Sequence, residues 1–345
     1  MAAGESDTAR RATVRDVARL AGVSLGSVSN YLSGQKTVAT GTRGRIEAAI
    51  TQLNFVPNMA VRVMRGAPSH ALAFLVPDTW NPFFVGVARG IEDVAIARGH
   101  VVVICNTEGD EAREKHYSQA LAEMRVRGAV ALATGMSDDT LDRLMQTGAS
   151  VVFLGAPLGD ARHPWVTVDD ELGGYLGMRH LLEEGYEDVL FLGGPRGERP
   201  FTQRLNGSTR ALREQGMPST ALRRLDAAGS SPEDRMQAAA EILALEPRPR
   251  AVFCANDQLA VALLSAALRE GIRIPEDLAI LGYDDSEASA ESPIPLSTIR
   301  QPQHEIGVAA AELVFDPLAA DGKPRNIEFP PELVVRSSTT RRQIS

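Results

Sequence analysis

The chain has 345 residues, 44% of them hydrophobic and 23% charged, which suits a globular protein of two large domains or of two plus a small one. Its two cysteines, Cys105 and Cys254, lie far apart in apolar runs, which excludes a disulfide framework and a multi-cysteine zinc site. The formal net charge of −8, taken as a whole, argues against nucleic acid as a partner.

The charge is unevenly distributed along the chain. Residues 1–66 hold nine Lys and Arg against four Asp and Glu, a net charge of +5. The rest of the chain holds 27 Lys and Arg against 40 Asp and Glu, a net charge of −13. A basic head on an acidic body indicates an anionic partner for the head alone. The alternative of a solvated basic tail fits less well, because the charges lie within periodic, foldable sequence.

No segment is typical of secretion or of membrane insertion. Residues 1–20 contain no apolar stretch of signal-peptide length. The longest apolar runs, such as Ala71–Val76, have the length of strands and fall well short of the ~20 residues that a membrane helix needs. We therefore expect a cytoplasmic protein without a membrane partner.

Three short helices are predicted in the head. Thr13-Val-Arg-Asp16 is typical of a capping box, and a helix follows over about Val14–Leu20. Gly22 breaks it, a second helix spans Ser24–Leu32 with the serine as its cap, and a third spans about Thr40–Leu53. Two short helices joined by a tight glycine turn and braced by a third form the helix-turn-helix pattern, whose second helix enters the major groove of DNA.

A second motif overlaps the turn between the first two helices. Gly22-Val-Ser24-Leu-Gly26 matches the G-x-S-x-G nucleophile elbow of hydrolases, which requires a strand before the serine. Because a helix precedes it here, we disfavour a hydrolase. No nucleophile–base pair is apparent elsewhere, and the six histidines show no metal-binding spacing. The sequence therefore predicts no enzymatic activity, no metal and no cofactor.

The stretch from Thr13 to Gly66 resembles the DNA-binding segment of the LacI–GalR family of bacterial transcriptional repressors. The strings DVARLAGVSLGSVSNYLSG and TRGRIEAAITQLNFVPNMAVRVMRG carry the resemblance. It implies DNA contacts from seven head residues, namely Thr13, Ser24, Leu25, Gly26, Ser27, Ser29 and Asn30. The family most often has arginine at Asn30, and asparagine pairs with adenine rather than guanine, so an unusual operator half-site is expected. A solvated or phosphate-contacting Asn30 remains the alternative.

The same resemblance implies a hinge helix over residues 58–66. In the family this segment folds only on DNA, paired with its copy from a second subunit. DNA contacts are expected there from Asn58, Val61, Arg62 and Met64. Met64 stands where the family has a leucine that wedges into the minor groove, and methionine is an acceptable wedge. The alternative is that Met64 packs on the core.

Beyond the hinge, apolar runs of strand length alternate with stretches of helical length. The runs are Ala71–Val76, Val101–Cys105, Ala129–Ala133, Val151–Leu154, Val189–Leu192, Ala251–Cys254 and Leu278–Leu281. The helical stretches are Phe84–Arg98, Glu111–Arg125, Glu171–Glu184, Glu233–Leu245 and Gln258–Glu270. This alternation predicts an α/β core of parallel sheets covered by helices, with enough strands for two such domains.

Aromatic, amide and carboxyl side chains follow several of these strands. They occur in Pro77–Phe84, Asn256-Asp257 and Asp284-Asp285, where ligands of open α/β sheets bind. Such a set suits a neutral, hydroxyl-rich ligand such as a sugar.

The stretch from Ala71 to Thr340 resembles the periplasmic sugar-binding-protein fold (type I, two Rossmann-like subdomains) that the LacI–GalR family carries after its hinge. The strings NPFF, GYDD and LSTIRQP carry this resemblance. It implies effector contacts from Asn81, Phe83, Phe84, Thr202, Asn256 and Asp284.

Two departures from the family pattern concern this site. Thr202 stands where the family usually has an arginine that clamps the effector, and Arg204 is expected one layer behind the pocket. The aromatic residue that the family often has near Ala228-Gly229 is missing. Either the ligand is not a typical sugar, or the site is weak, or Arg196 or Arg199 substitutes.

The predicted chain is thus a small all-α helix-turn-helix head followed by an α/β core. We expect a disordered tail over 1–11, the DNA-binding domain over 12–57, the hinge helix over 58–66 and the core over 67–345. Within the core, the N-subdomain is expected over about 70–168 and 301–328, and the C-subdomain over about 169–298 and 329–340.

The sequence favours a transcriptional regulator, most simply a repressor, that binds a palindromic operator on double-stranded DNA as a homodimer. A sugar-like molecule in the core would modulate its DNA affinity. A dimer is expected because the tetramer-forming heptads of the family have no counterpart near Arg341-Arg342. The alternatives are a soluble sugar-binding protein, which the basic head disfavours, and an α/β enzyme, which lacks a catalytic constellation.

Overall fold

The computed structural model describes residues 12–33, 38–55, 69–133, 138–156, 162–195, 197–218 and 221–340. They form two compact units, a head that ends at Ser69 and a core that begins at His70. The predicted tail and hinge helix, with Asn58, Val61, Arg62 and Met64, lie outside the described residues. No helix within the described ranges is both long and apolar enough to cross a bilayer.

The head contains the three predicted helices, α1 (Val14–Ala21), α2 (Leu25–Ser33) and α3 (Thr40–Gln52). Each contributes apolar side chains to one small core, in which Val28 of α2 and Ile46 of α3 are completely buried. One face of each helix is thereby fixed inward, as expected for amphipathic surface helices.

Local hydrogen bonds set the helix ends in the head. The capping box is present: Thr13 N–H donates to Asp16 Oδ2 at 2.9 Å, and Asp16 N–H donates to Thr13 Oγ1 at 3.4 Å. Gly22 ends α1 in the left-handed region at φ +62°, which glycine adopts without strain. Ser24 caps α2, because its Oγ accepts a hydrogen bond from Ser27 N–H at 3.1 Å.

The core alternates strands and helices. Its strands are β1 (Ala71–Val76), β2 (Val101–Asn106), β3 (Gly128–Leu132), β4 (Ser150–Leu154), β5 (Trp165–Val168), β6 (Val189–Gly193), β7 (Arg223–Asp226), β8 (Ala251–Cys254), β9 (Ala279–Leu281), β10 (Thr298–Arg300), β11 (Asn326–Phe329) and β12 (Glu332–Val334). Its helices are α4 (Pro82–Ala97), α5 (Glu111–Met124), α6 (Asp138–Gln146), α7 (Asp170–Glu183), α8 (Arg199–Glu214), α9 (Pro232–Leu243), α10 (Asp257–Arg269), α11 (Glu287–Ala290) and α12 (Gln303–Phe315).

The strands build two parallel sheets, which confirms the predicted fold class. The first has the order β11-β5-β4-β3-β1-β2 and the second the order β7-β6-β8-β9. Strands β10 and β12 form a separate antiparallel pair. Central strands such as β1 and β6 are buried along their whole length, which is why they appear in the sequence as continuous apolar runs.

The chain crosses between the two sheets three times. It leaves the first sheet after β5, returns after β10 into α12, and leaves again after β11 for β12. Helix α12 packs against α4 on the first sheet, although it follows the second sheet in sequence. Each half of the core is therefore built from stretches that are separated in the sequence.

Helices α7 and α8 approach each other unusually closely. A Cβ at Gly207 would collide with the backbone oxygen of Glu171, and a Cβ at Gly174 with that of Arg204. These glycines let the two backbones meet, and so bring the first turn of α7 against the middle of α8.

The seven predicted strands and five predicted core helices are confirmed to within about two residues at each end. Among the elements that the prediction missed are β5, β7, β11, β12, α8, α11 and α12. Strand β7 has the sequence RRLD and lies at a sheet edge, where polar residues face solvent and no apolar run is needed.

Candidate functional sites

Helix α2 presents the predicted DNA-contacting residues of the head. Leu25 and Gly26 are exposed in its first turn, and the leucine retains 49% of its surface. Ser27, Ser29 and Asn30 are half-buried along the same helix. An apolar side chain held in solvent at a helix start is available for contact with a thymine methyl group.

The two caps among the predicted DNA contacts also have structural roles. Ser24 is exposed and caps α2, with its hydroxyl 2.9 Å from that of Ser27. Thr13 is exposed at the start of α1, where its hydroxyl donates to Asp16. Helix N-termini and their hydroxyl caps are common contacts of DNA phosphates.

Gly26 has no structural reason to be glycine. Its φ is not in the left-handed region, and an added Cβ would touch only Ser24 Oγ at an ordinary 3.6 Å. In a helix interior glycine is less favourable than alanine by about 0.5–1 kcal/mol. The fold of the head therefore does not require glycine at this exposed position.

Exposed cations flank α2 in the head. Arg15 and Arg19 lie on α1, and Arg43 and Arg45 lie on α3, all four solvent-exposed. Tyr31 ties α2 to α3, because its hydroxyl donates to Glu47 at 3.0 Å. Burial and the neighbouring Glu47 raise the Tyr31 pKa, so the phenol keeps this proton.

The core encloses a cavity of about 610 Å³ at the carboxyl ends of its strands. Both halves contribute to the walls: the segment after β1, the segment after β2, the first turns of α7 and α8, and the residues after β8 and β9. Five of the six predicted effector residues line this cavity, namely Asn81, Phe83, Phe84, Asn256 and Asp284.

Thr202 is the exception. It is exposed on α8, does not line the cavity, and donates its hydroxyl to Glu198 O at 3.2 Å. Arg204, two residues further along the helix, lines the cavity although it was expected one layer behind. Of the suggested substitutes, Arg199 donates to the Ala156 carbonyl across the two halves, and Arg196 lies outside the described residues.

Arg204 and Asp170 form a buried ion pair at the cavity floor. Arg204 Nε donates to Asp170 Oδ1 at 2.8 Å, and the guanidinium carbon lies 3.6 Å from the centre of the Tyr283 ring. Burial opposes the charge on Arg204, but the carboxylate outweighs it, so the Arg204 pKa is raised. The pairing of α7 with α8 through Gly207 brings these two side chains together.

Asp284 is a buried carboxyl group with an unusual backbone. Its φ is +115°, in a region that disfavours side chains, and Gln301 Nε2 donates to its Oδ1 at 2.6 Å. Burial raises the Asp284 pKa to about 8, although nearby Arg204 acts in the opposite direction. At neutral pH this group is mainly a neutral acid, able to donate one hydrogen bond and to accept others.

The remaining predicted residues supply amides and ring faces. The side-chain oxygens of Asn81 and Asn256 cap α4 and α10, at 3.0 Å from Phe83 N and 2.9 Å from Leu259 N. Their amide nitrogens are thus the groups that each can offer to a ligand. Phe83 and Phe84 pack edge to face with centroids 5.2 Å apart, and both line the cavity while also contacting the core.

Sequence reasoning did not assign several other lining residues to the site, among them Trp80, Gln258 and Glu198. Trp80 is 82% exposed at the cavity, and Gln258 Nε2 donates to its carbonyl at 3.1 Å, joining the two halves. Burial raises the pKa of Glu198, which also lines the cavity. Only Trp80 carried a signal in the sequence, because large exposed aromatic residues after a strand are uncommon without a role. No group of acidic, His or Cys side chains in the described ranges is arranged to hold a metal ion.

Comparison with known proteins covers both units. Residues 13–58 match the family described as bacterial regulatory proteins, lacI family, and residues 178–339 match a periplasmic binding protein-like domain. The HTH-type transcriptional repressor PurR of Photobacterium profundum is 32% identical over 333 residues, covering 95% of this chain and 98% of that protein.

Two solved structures are similar over nearly the whole chain. The lac repressor dimer bound to operator and the anti-inducer ONPF has a TM-score of 0.80 at 25% identity, covering 96% of this chain and 100% of the other. The complex of the transcriptional regulator CelR with cellobiose has a TM-score of 0.68 at 28% identity, covering 95% and 100%.

Proposed function

The chain belongs to the LacI family of bacterial transcriptional repressors, and from this premise we propose which function each of its two units performs. It is a DNA-binding repressor modulated by a small molecule, and it is not an enzyme. The proposal concerns which residues read DNA, how two copies associate and what the cavity binds.

Helix α2 reads a palindromic operator from the major groove. Leu25 supplies an apolar contact to a thymine methyl group, and Asn30 suits adenine. Gly26 lets the groove approach the helix backbone closely. The exposed arginines of α1 and α3 hold the phosphate backbone, which positions the helix without specifying sequence.

A homodimer is supported by an apolar edge on the core. Strand β2 is the free edge of the first sheet, and Val101 and Ile104 on it are 62% and 52% exposed. Ile96, near the end of the neighbouring α4, is 63% exposed. Exposed apolar groups on an unpaired strand favour association with a second copy, and the similar lac repressor structure is a dimer on its operator.

The cavity binds a neutral carbohydrate or a related polyhydroxyl ligand. The observation that carries this proposal is the combination of Phe83 and Phe84 faces with buried Arg204, Asp284 and the Asn256 amide in one cavity. Ring faces cover the CH surface of a sugar, and the polar groups pair with its hydroxyls. The complex of CelR with cellobiose supports this ligand class.

Ligand binding changes DNA affinity by changing how far the two halves close. The Gln258–Trp80 and Arg199–Ala156 hydrogen bonds join the halves beside the cavity. A ligand that contacts both walls binds the closed arrangement better, and an effector shifts an equilibrium only by such differential affinity.

The ligand proposal is tested by a thermal-shift and calorimetric screen of neutral mono- and disaccharides. A sugar that binds should raise the melting temperature of the wild-type chain, and Asp284→Ala should abolish the response. Thr202→Ala, on α8 but outside the cavity lining, is the matched control and should retain the response. Equal loss in both variants would show that the ligand lies elsewhere.

The DNA proposal is tested by gel shift on palindromic fragments from upstream of the chain's own gene. Binding should be lost in Leu25→Ala combined with Asn30→Ala, while the folded fraction is unchanged. If no palindromic fragment binds at moderate salt, the operator proposal is wrong.

A further inference from the structure

Several helices begin at the wall of the effector cavity, where their amino termini would attract an anion. They are α4, α7, α8, α9 and α10. Helix amino termini favour anions because their first N–H groups have no partner within the helix. In four of these helices a side chain at the start accepts one such N–H group, namely Asn81, Asp169, Ser231 and Asn256. Helix α8 has no side-chain cap of this kind.

Glu198 stands at the uncapped start of α8. Its side chain lines the cavity, accepts no hydrogen bond from the helix, and has no ion pair to any residue in the described ranges. The surrounding protein displaces water from the carboxyl group and raises the Glu198 pKa, and the charge of Arg204 opposes this only in part. A carboxylate that has lost water without gaining a donor suits a ligand that supplies one.

The charge of Arg204 is already balanced. It is the one cation among the described residues that line the cavity, and its Nε donates to Asp170 at 2.8 Å. Its Nη1 donates to the Ala255 carbonyl. The remaining N–H groups can serve a neutral hydroxyl, but an anionic ligand would have to compete with the Asp170 carboxylate.

The unpaired charges at the wall are negative. Asp78, after β1, lines the cavity without an ion pair in the described part of the chain, and its Oδ1 accepts a backbone N–H at 2.8 Å. Glu108 is balanced by Arg113 at 2.8 Å. Burial raises the Asp284 pKa to about 8, so that acid is mainly neutral at neutral pH. One free carboxylate therefore remains on each half, Asp78 on the first and Glu198 on the second.

The helix dipole accounts for the placement of Glu198 only in part. Acidic side chains are favourable near a helix amino terminus whichever way they point. Glu233, in the first turn of α9, shows the ordinary arrangement, since it is exposed and does not line the cavity. The dipole does not explain why the Glu198 carboxylate lines a cavity in which it loses water.

We propose that Glu198 determines which ligand charge the cavity accepts. Among sugars of one configuration, an amino sugar binds more tightly than its neutral parent, and a phosphorylated or carboxylated sugar is rejected. The carboxylate accepts a charge-assisted hydrogen bond from an ammonium group and repels an oxyanion. Because this selection acts in the proposed effector cavity, it rests on the function proposed for that cavity.

The test compares ligands that share a configuration and differ in charge. Glucose, glucosamine, glucose 6-phosphate and glucuronate, with their galacto and manno counterparts, are titrated into the full-length chain by calorimetry at neutral pH. In the series whose parent sugar binds, the amino sugar should bind wild type about tenfold more tightly than the parent, and both anions at least about tenfold more weakly, as expected for one unit charge a few ångströms away.

Two substitutions of Glu198 separate its charge from its shape. Glu198→Gln keeps the size of the side chain and should reduce the ratio of parent Kd to amino-sugar Kd by about tenfold, with an equal reduction in the rejection of the anions. Glu198→Asp retains the charge and should keep the order of amino sugar, parent and anion. Glu233→Gln is the matched control, because it removes the same charge from a helix start outside the cavity lining, and should leave the ratios unchanged.

The outcomes distinguish the charge selection from the function of the cavity. An anion that binds wild type as tightly as its parent sugar would overturn the selection and leave sugar binding intact. Ratios that do not change in Glu198→Gln, or that change equally in Glu233→Gln, would overturn the role of Glu198. If no sugar of any charge binds wild type, the proposed function of the cavity is wrong and the selection fails with it.

Discussion

The head and the core differ in how far they expose the residues that we propose to bind DNA and ligand. In the head, Leu25 and Gly26 project from a single helix into solvent, over a core of a few apolar side chains. In the core, Arg204 and Asp284 are buried in a cavity whose walls come from both halves. The proposed DNA contacts of the head are thus exposed on one helix, whereas the proposed ligand contacts of the core line a cavity.

The difference teaches what each site requires of the fold. Recognition of DNA needs only one helix that is capped at the right residue and buries one face. The residues proposed to contact DNA are therefore neighbours in sequence. A cavity needs several strand ends and the close packing of α7 on α8, so its lining residues span from Pro77 to Ile306. Substitutions should therefore damage stability in the core and recognition in the head.

Breaking the buried ion pair should produce the largest effect. Arg204→Met leaves the Asp170 carboxylate buried without its partner and should lower the free energy of unfolding of the core by about 3–5 kcal/mol. Urea denaturation measures this loss. The double variant with Asp170→Asn should recover part of it, because the uncompensated charge is then removed. A loss below about 1 kcal/mol in the single variant would contradict a buried pair.

Two glycine substitutions contrast the units directly. Gly207→Ala places a methyl group against the Glu171 backbone and should destabilise the core by about 1–3 kcal/mol or more.

Gly26→Ala meets no backbone and should stabilise the head by about 0.5–1 kcal/mol while weakening operator binding. Gly44→Ala on α3 is the control, since its Cβ would meet no atom within 4 Å. Equal operator binding by the Gly26 and Gly44 variants would show that α2 is not approached closely.

The buried acid gives the core a pH dependence. Because burial raises the Asp284 pKa to about 8, the folded state holds this proton more tightly than the unfolded state does. The contribution of the Asp284 proton to the free energy of unfolding is fully present below about pH 4. It is lost as the pH rises through about 8, by up to roughly 1 kcal/mol per pH unit. Asp284→Asn should flatten the fall in melting temperature over this range. An unchanged profile in the variant would mean that Asp284 is ionised throughout.

The smallest expected effect concerns the exposed tryptophan. The chain has two tryptophans, Trp80 and Trp165, so Trp165→Phe leaves Trp80 as a fluorescent reporter. A cavity ligand should change the emission of that variant and leave the emission of Trp80→Phe unchanged. Stacking on an aromatic ring contributes about 0.5–1.5 kcal/mol, so Trp80→Ala should weaken ligand binding several-fold. If the ligand changed only the emission of Trp165, it would bind away from Trp80.

The head could be predicted from sequence because its signals are local. The Thr13–Asp16 capping box and the left-handed Gly22 fix helix ends through neighbouring residues, and all three helices were confirmed. The buried strands of the core were likewise visible as apolar runs. The edge strand β7 and the returning strand β11 carry no such run, and β5, the pairing partner of β11, lies far away from it in sequence.

The cavity was only partly predictable. The five predicted effector residues that line it follow strands or begin helices, which the sequence shows. Thr202 and Arg204 were misplaced because the rotation of α8 decides which of them faces inward, and the Gly174 and Gly207 contact with α7 sets that rotation. Trp80 and Gln258 meet across the two halves, a relation that no local pattern expresses.

The central claim is that occupancy of the core cavity controls operator binding by the head. The most direct measurement is operator affinity of the full chain, by fluorescence anisotropy, with and without a sugar that raises the melting temperature of the core. We predict that the sugar changes the operator Kd of wild type by at least about fivefold, within the range of allosteric coupling, and leaves that of Asn256→Ala/Asp284→Asn unchanged. A sugar that stabilises the core but leaves operator affinity unchanged, or that acts equally on the double variant, would contradict it.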